Sequence, residues 1–91
     1  MISRRMASYR LLFKRSVAKD LGSIPKKDVR RILSRIEALS NEPRPRGCEK
    51  PADGERYRIR QEAYRILYEI HDKVLVIVVV KVAKRSHAYD S

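Results

Sequence analysis

The chain has 91 residues, 22 of them Lys or Arg against 11 Asp or Glu, for a formal net charge of +11. That length allows one modest core and excludes a deep enclosed active site, so residues 1–91 read as a single domain whose site is shallow. The charge points to a polyanion, nucleic acid first; a membrane is not expected, because no segment reaches the ~20 apolar residues of a spanning helix.

Residues 1–8, with Arg4 and Arg5, read as a basic tail, and Met6 is a second candidate start just ahead of the first strand. No signal-peptide core follows Met1, so a cytoplasmic location is expected. Tyr9 to Phe13 is a short strand with aromatic ends. Ser16 is placed to cap a short helix whose Val17 and Leu21 share a face, with Gly22 at its end. Pro25 suits the first position of a longer helix, in which Val29, Ile32, Leu33, Ile36 and Leu39 form an apolar stripe. Its other side carries Lys26, Lys27, Arg30, Arg31 and Arg35, which could touch phosphates, although the default for such a face is solvation.

Pro43, Pro45, Gly47, Pro51 and Gly54 then break regular structure over a basic, mobile loop from Asn41 to Gly54, which could close over bound RNA but is more plainly a connection from helix to sheet. Beyond it come three strands. Arg56, Arg58 and Arg60 alternate with Tyr57 and Ile59, so a pleated strand puts cations on one face and apolar groups on the other. Tyr64, Ile66, Tyr68 and Ile70 share a face of the next strand, with Arg65, Leu67 and Glu69 opposite. After a polar turn at His71, Asp72 and Lys73, the apolar run Val74 to Val80 reads as a central strand buried on both faces. The order strand, helix, helix, strand, strand, strand predicts an α+β fold: a small, largely antiparallel sheet with an N-terminal strand, a helical hairpin on one face and a three-stranded meander. The arginines of two neighbouring strands then share the open face.

Cys48 is the sole cysteine, which excludes an intrachain disulfide, and it has no evident activating partner. His71 and His87 are the only histidines, and no metal site is expected from their spacing.

The segments Tyr57-Arg58-Ile59-Arg60, Tyr64-Arg65-Ile66-Leu67-Tyr68-Glu69-Ile70 and Val80-Lys81-Val82-Ala83-Lys84-Arg85 resemble the RelE/ParE superfamily of toxins from type II toxin–antitoxin pairs. The likeness extends over nearly the whole chain and implies the same sheet with its helical hairpin. RelE-type members are ribosome-dependent mRNA interferases that cut mRNA in the A site. The resemblance therefore implies a toxin that inhibits translation as an endoribonuclease, with mRNA, the ribosome and a cognate acidic antitoxin as partners and no cofactor. Position by position, it matches Arg65, Arg85 and the C-terminal Tyr89 to catalytic positions and Arg58 and Arg60 to two basic residues of the first meander strand; Arg58 and Arg60, with Arg56 and Lys84 beside them, are read as phosphate-binding.

The chemistry is coherent with that assignment. When a 2′-hydroxyl attacks the adjacent phosphorus, the site must steady a phosphorane, accept one proton and deliver another to the leaving 5′-oxygen. Guanidinium forks at Arg65 and Arg85 match phosphate oxygens, whereas Arg58 and Arg60 cannot serve as bases because Arg does not deprotonate at ordinary pH. Proton transfer falls to His87 or Tyr89, with imidazole the better base at neutral pH. A plainer reading makes His87 an ordinary exposed residue of a C-terminal tail. For Tyr57, Tyr64 and Tyr68 the core is the expected location. An alternative function is ParE-like inhibition of DNA gyrase without chemistry.

Overall fold

The computed structural model describes residues 8–50 and 56–84. Strand β1 (Arg10–Phe13) leads into helices α1 (Arg15–Gly22) and α2 (Lys26–Leu39), followed by strands β2 (Tyr57–Gln61), β3 (Tyr64–His71) and β4 (Val76–Lys84). The four strands form one sheet in the order β1-β4-β3-β2. β1 lies parallel to β4, while β2, β3 and β4 form the antiparallel meander. The α+β expectation, with a helical pair on one face, is what the molecule adopts.

The core lies between the helices and one face of the sheet. Val17 from α1 and Ile32, Ile36 and Leu39 from α2 meet Tyr57, Ile59, Tyr64, Ile66, Tyr68, Ile77, Val79 and Val82 from the sheet. All three tyrosines expected in the core are there, and their hydroxyls are used. Tyr68 is fully buried and donates to the Pro43 carbonyl at 2.7 Å, and Tyr64 donates to Asp28 Oδ2 on α2 at 3.0 Å. Buried aromatics thus bring apolar area and a directional tie to the elements above them.

Four local expectations change. α1 opens at Arg15 rather than behind a Ser16 cap, and Lys14 at its N-cap makes no side-chain capping bond. The cause is the strand before it: Lys14 N–H still donates to Val79 O at 3.0 Å, while its carbonyl already accepts from Val17 N–H at 2.9 Å. Pro25 is the N-cap of α2, not its first helical residue, with its carbonyl taking the N–H groups of Asp28 and Val29. Leu33, assigned to the apolar stripe, is 39% exposed. Val74 and Leu75 belong to the β3–β4 turn and are exposed, so β4 starts at Val76.

β4 is the spine expected of it, lying between β1 and β3, but it is not uniformly buried. Ile77 and Val79 are fully buried while Val76, Val78 and Val80 are half-buried on the other face. Then the pairing shifts: Leu67 faces Lys81, but Tyr68 faces Val79, leaving Val80 as an extra residue. This bulge reverses the alternation, turning Val82 inward and Lys81 outward. Asp20 of α1 fastens the irregularity, its Oδ2 accepting the Val82 N–H at 3.2 Å and its Oδ1 lying 3.8 Å from Lys81 Nζ.

The described part of the loop, 41–50, is anchored to the sheet rather than a loose connection. Beside the Tyr68–Pro43 bond, Glu49 pairs with Arg58 of β2 through two backbone hydrogen bonds of 2.8 Å. Arg44 reaches Asp72 at 2.9 Å and Tyr57 Oη at 3.2 Å, with its guanidinium 5.3 Å from the Tyr57 ring centroid. Tyr9 donates to the other oxygen of Asp72 at 2.7 Å. The Arg44 hydrogen bonds, reinforced by Tyr9, hold the Asp72 carboxyl below the usual carboxylate range, and the bond to Asp72 in turn raises the Tyr9 phenol. Residues 51–55 of the loop and the tail ahead of Ser8, with its Met6 start, lie outside the described residues.

Candidate functional site

The alternation of β2 places Tyr57 and Ile59 in the core and turns Arg58 and Arg60 to the opposite face. β3 does the same with Tyr64, Ile66 and Tyr68 inward and Arg65 outward. The antiparallel register then sets Arg60 directly across from Arg65, and Ala83 of β4 on the other side of Arg65. Without the bulge at Val80, Lys81 and Ala83 would face the core instead.

These groups line a recess of about 270 Å³ formed by Arg35, Gly47, Glu49, Arg58, Ile59, Arg60 and Arg65. Four arginines from α2, β2 and β3 therefore line one small recess, with Glu49 the one carboxylate among the described lining residues. Glu49 Oε1 lies 3.8 Å from Arg58 Nε, beyond hydrogen-bond length, and that Nε is shielded from solvent. Gly47 has φ +93, a left-handed conformation that glycine adopts without penalty, and it brings the loop back over the edge of β2.

Arg65 is only 4% exposed, although it was expected on an open face. It sits on the predicted side of its strand and lines the recess, but as a buried group. Arg60 is exposed at the rim. Arg56, also exposed, lies outside the recess and faces Glu69 at 3.8 Å. Lys84 closes β4 opposite Tyr64. Arg85, His87 and Tyr89 lie outside the described residues.

Two lining residues were not singled out from the sequence. Arg35 was counted with the solvated face of α2, yet it is half-buried in the recess. At about 100° per residue, it lies roughly 40° from Leu39 around the helix axis, at the border of the buried stripe and toward β2. That spacing was a usable signal. Glu49 had no such signal, because only its tertiary pairing with Arg58 brings it to the site.

The order of a helical hairpin followed by a strand meander is shared with known proteins. A family model described as the ParE toxin of type II toxin–antitoxin systems, parDE, matches residues 11–89. The chain belongs to the ParE toxin family. Among solved structures, a chain of the archaeal RelE–RelB complex from Pyrococcus horikoshii OT3 is 33% identical, with 86% of this chain and 96% of that one covered at a TM-score of 0.74. A chain of the RelBE2 toxin–antitoxin complex from Mycobacterium tuberculosis matches at TM-score 0.78 and 24% identity, over 92% of this chain and 99% of that one. The isolated RelE toxin of E. coli matches at TM-score 0.76 and 22% identity, over 91% and 93%. The last two share the fold, while the Pyrococcus chain carries the kinship to RelE in sequence as well. No curated protein matches the sequence. The RelE/ParE superfamily resemblance seen in the strand motifs therefore holds for this ParE-family toxin.

Proposed function

We propose that this toxin is a ribosome-dependent mRNA endoribonuclease whose arginine recess holds the scissile phosphodiester. The observation that supports this reading is the meeting of Arg35, Arg58, Arg60 and Arg65 around one recess of about 270 Å³. Oxyanions are matched by guanidinium forks, and charge that develops on phosphorus is best met by donors already fixed in place. Arg65 is the residue most firmly held, so it takes the phosphorane, with Arg85 joining from the segment after β4. Arg58 and Arg60, with Arg56 and Lys84 farther out, bind the flanking phosphates. Proton transfer belongs to His87 and Tyr89. A shallow recess orients RNA poorly by itself, so the ribosome supplies the rest of the positioning. The named complexes of the RelE relatives support a cognate antitoxin partner, and the charge of +11 favours an acidic one.

A second reading, inhibition of DNA gyrase without chemistry, draws support from the ParE description of the matching family model. Purified ribosomes programmed with a defined mRNA separate the two. Cleavage in the A site is expected, and Arg65→Met, which keeps the bulk of the side chain, should lose about a hundredfold in rate while retaining the wild-type circular dichroism spectrum. Intact mRNA together with blocked gyrase supercoiling would leave the second reading standing.

A further inference from the structure

We propose that the outer face of α2 continues the recess as a groove for the sugar–phosphate backbone of the same RNA, on one side of the bond held between β2 and β3. This rests on the nuclease reading of the recess and extends it to substrate grip. A second, broader depression of about 450 Å³ is lined by Arg30, Arg31, Ser34, Arg35, Ala38 and Gln61. Arg35 lines both depressions, and Gln61 directly follows Arg60 of the recess, so the two share a wall.

Three features distinguish this groove from a solvated helix face. Arg35 is half-buried where a purely solvated cation would extend into water. The described lining residues include three cations and no carboxylate, the adjacent Glu62 being held by Arg31 at 2.7 Å. The rows Arg30–Ser34 and Arg31–Arg35 each step one helical turn, so the donors repeat along the groove as a strand's phosphates do. Ala38 leaves room for a backbone to lie against the helix, Ser34 and Gln61 offer hydrogen bonds to a 2′-hydroxyl, and guanidinium planes can stack on unpaired bases.

The test uses the full chain and fluorescently labelled uridylate oligomers, one a tetramer and one a dodecamer, titrated at several salt concentrations. The tetramer is expected to bind in the recess and to lose affinity in Arg60→Gln. The dodecamer is expected to bind more tightly than the tetramer, and the double variant Arg30→Gln, Arg31→Gln should abolish that gain while leaving tetramer affinity unchanged. Its dependence of log K on log salt for the dodecamer should be shallower by about 1.4, two contacts at ~0.7 each on single strands. A double variant that keeps the full gain, or that weakens both oligomers equally, overturns the groove and leaves the recess reading in place. Loss of polyglutamate binding with RNA binding retained also overturns it, in favour of an acidic protein partner. Failure of the wild type to bind even the tetramer would overturn the recess reading itself.

Discussion

Replacing Asp20 by Ala tests how the bulge in β4 is held. The substitution leaves the Val82 N–H without its 3.2 Å acceptor, at a residue only 2% exposed, and removes the 3.8 Å pairing with Lys81. An unsatisfied buried donor costs ~1–3 kcal/mol. The ion pair adds under ~0.5 kcal/mol, because the Lys81 side chain is 39% exposed. Ala is the better helix former by ~0.6 kcal/mol, which offsets part of the loss. The net expectation is a destabilisation of about 2 kcal/mol, or a fall of roughly 10 °C in Tm for a domain of this size. Asp20→Asn keeps an acceptor oxygen and should lose no more than about half as much. Urea unfolding followed by circular dichroism measures both, with the slope expected to stay constant. A cost below ~0.5 kcal/mol for Ala, or equal costs for Ala and Asn, would refute the argument that Asp20 holds the bulge through this acceptor.

Two further outcomes are expected. Glu49→Gln removes a carboxylate that lines the recess and that is half-exposed and therefore strongly screened; at ~5 Å from a bound phosphate its repulsion is about 1 kcal/mol, so the variant should bind a uridylate tetramer about fivefold more tightly. Unchanged or weaker binding in an anisotropy titration would count against a phosphate beside Glu49. Asp72 has its folded pKa depressed by Arg44 and Tyr9, so its contribution to stability is complete above the unfolded value of ~3.9 and is lost as pH falls through the folded one. Wild type and Asp72→Asn should therefore differ in urea midpoint at neutral pH and converge below about pH 4; a constant gap across that range would remove the ionic part of the Arg44–Asp72–Tyr9 cluster.

Much of this architecture was legible because periodicity survives wherever one face is buried and the other is not. Tyr57 and Ile59 against Arg58 and Arg60, and Tyr64, Ile66 and Tyr68 against Arg65, fix both strands and their sidedness. Such a pattern fails where every residue is apolar. The run of β-branched residues in β4 carries no phase of its own, so neither its late start at Val76 nor the extra residue at Val80 could be read. The same limit explains the site. Arg58, Arg60 and Arg65 follow from strand alternation, but the burial of Arg65 depends on what packs beside it. Arg35 needs the helix to sit against β2, and Glu49 enters only through a two-bond bridge between residues nine positions apart in sequence.

The arginine face imposes a cost that the opposite face must cover. Arg60 and Arg65 stand directly across from each other, and like charges at a direct cross-strand pair are destabilising. The compensation is visible on the other side of the same two strands. Tyr57 and Tyr68 stack with centroids 5.8 Å apart, and Ile59 and Ile66, both buried, are direct cross-strand partners. Glu49 reduces the repulsion from the recess side, its Oε1 lying 3.8 Å from Arg58 Nε. A phosphate entering the recess is favoured by the donors it contacts, and a ligand that binds only the folded chain stabilises it.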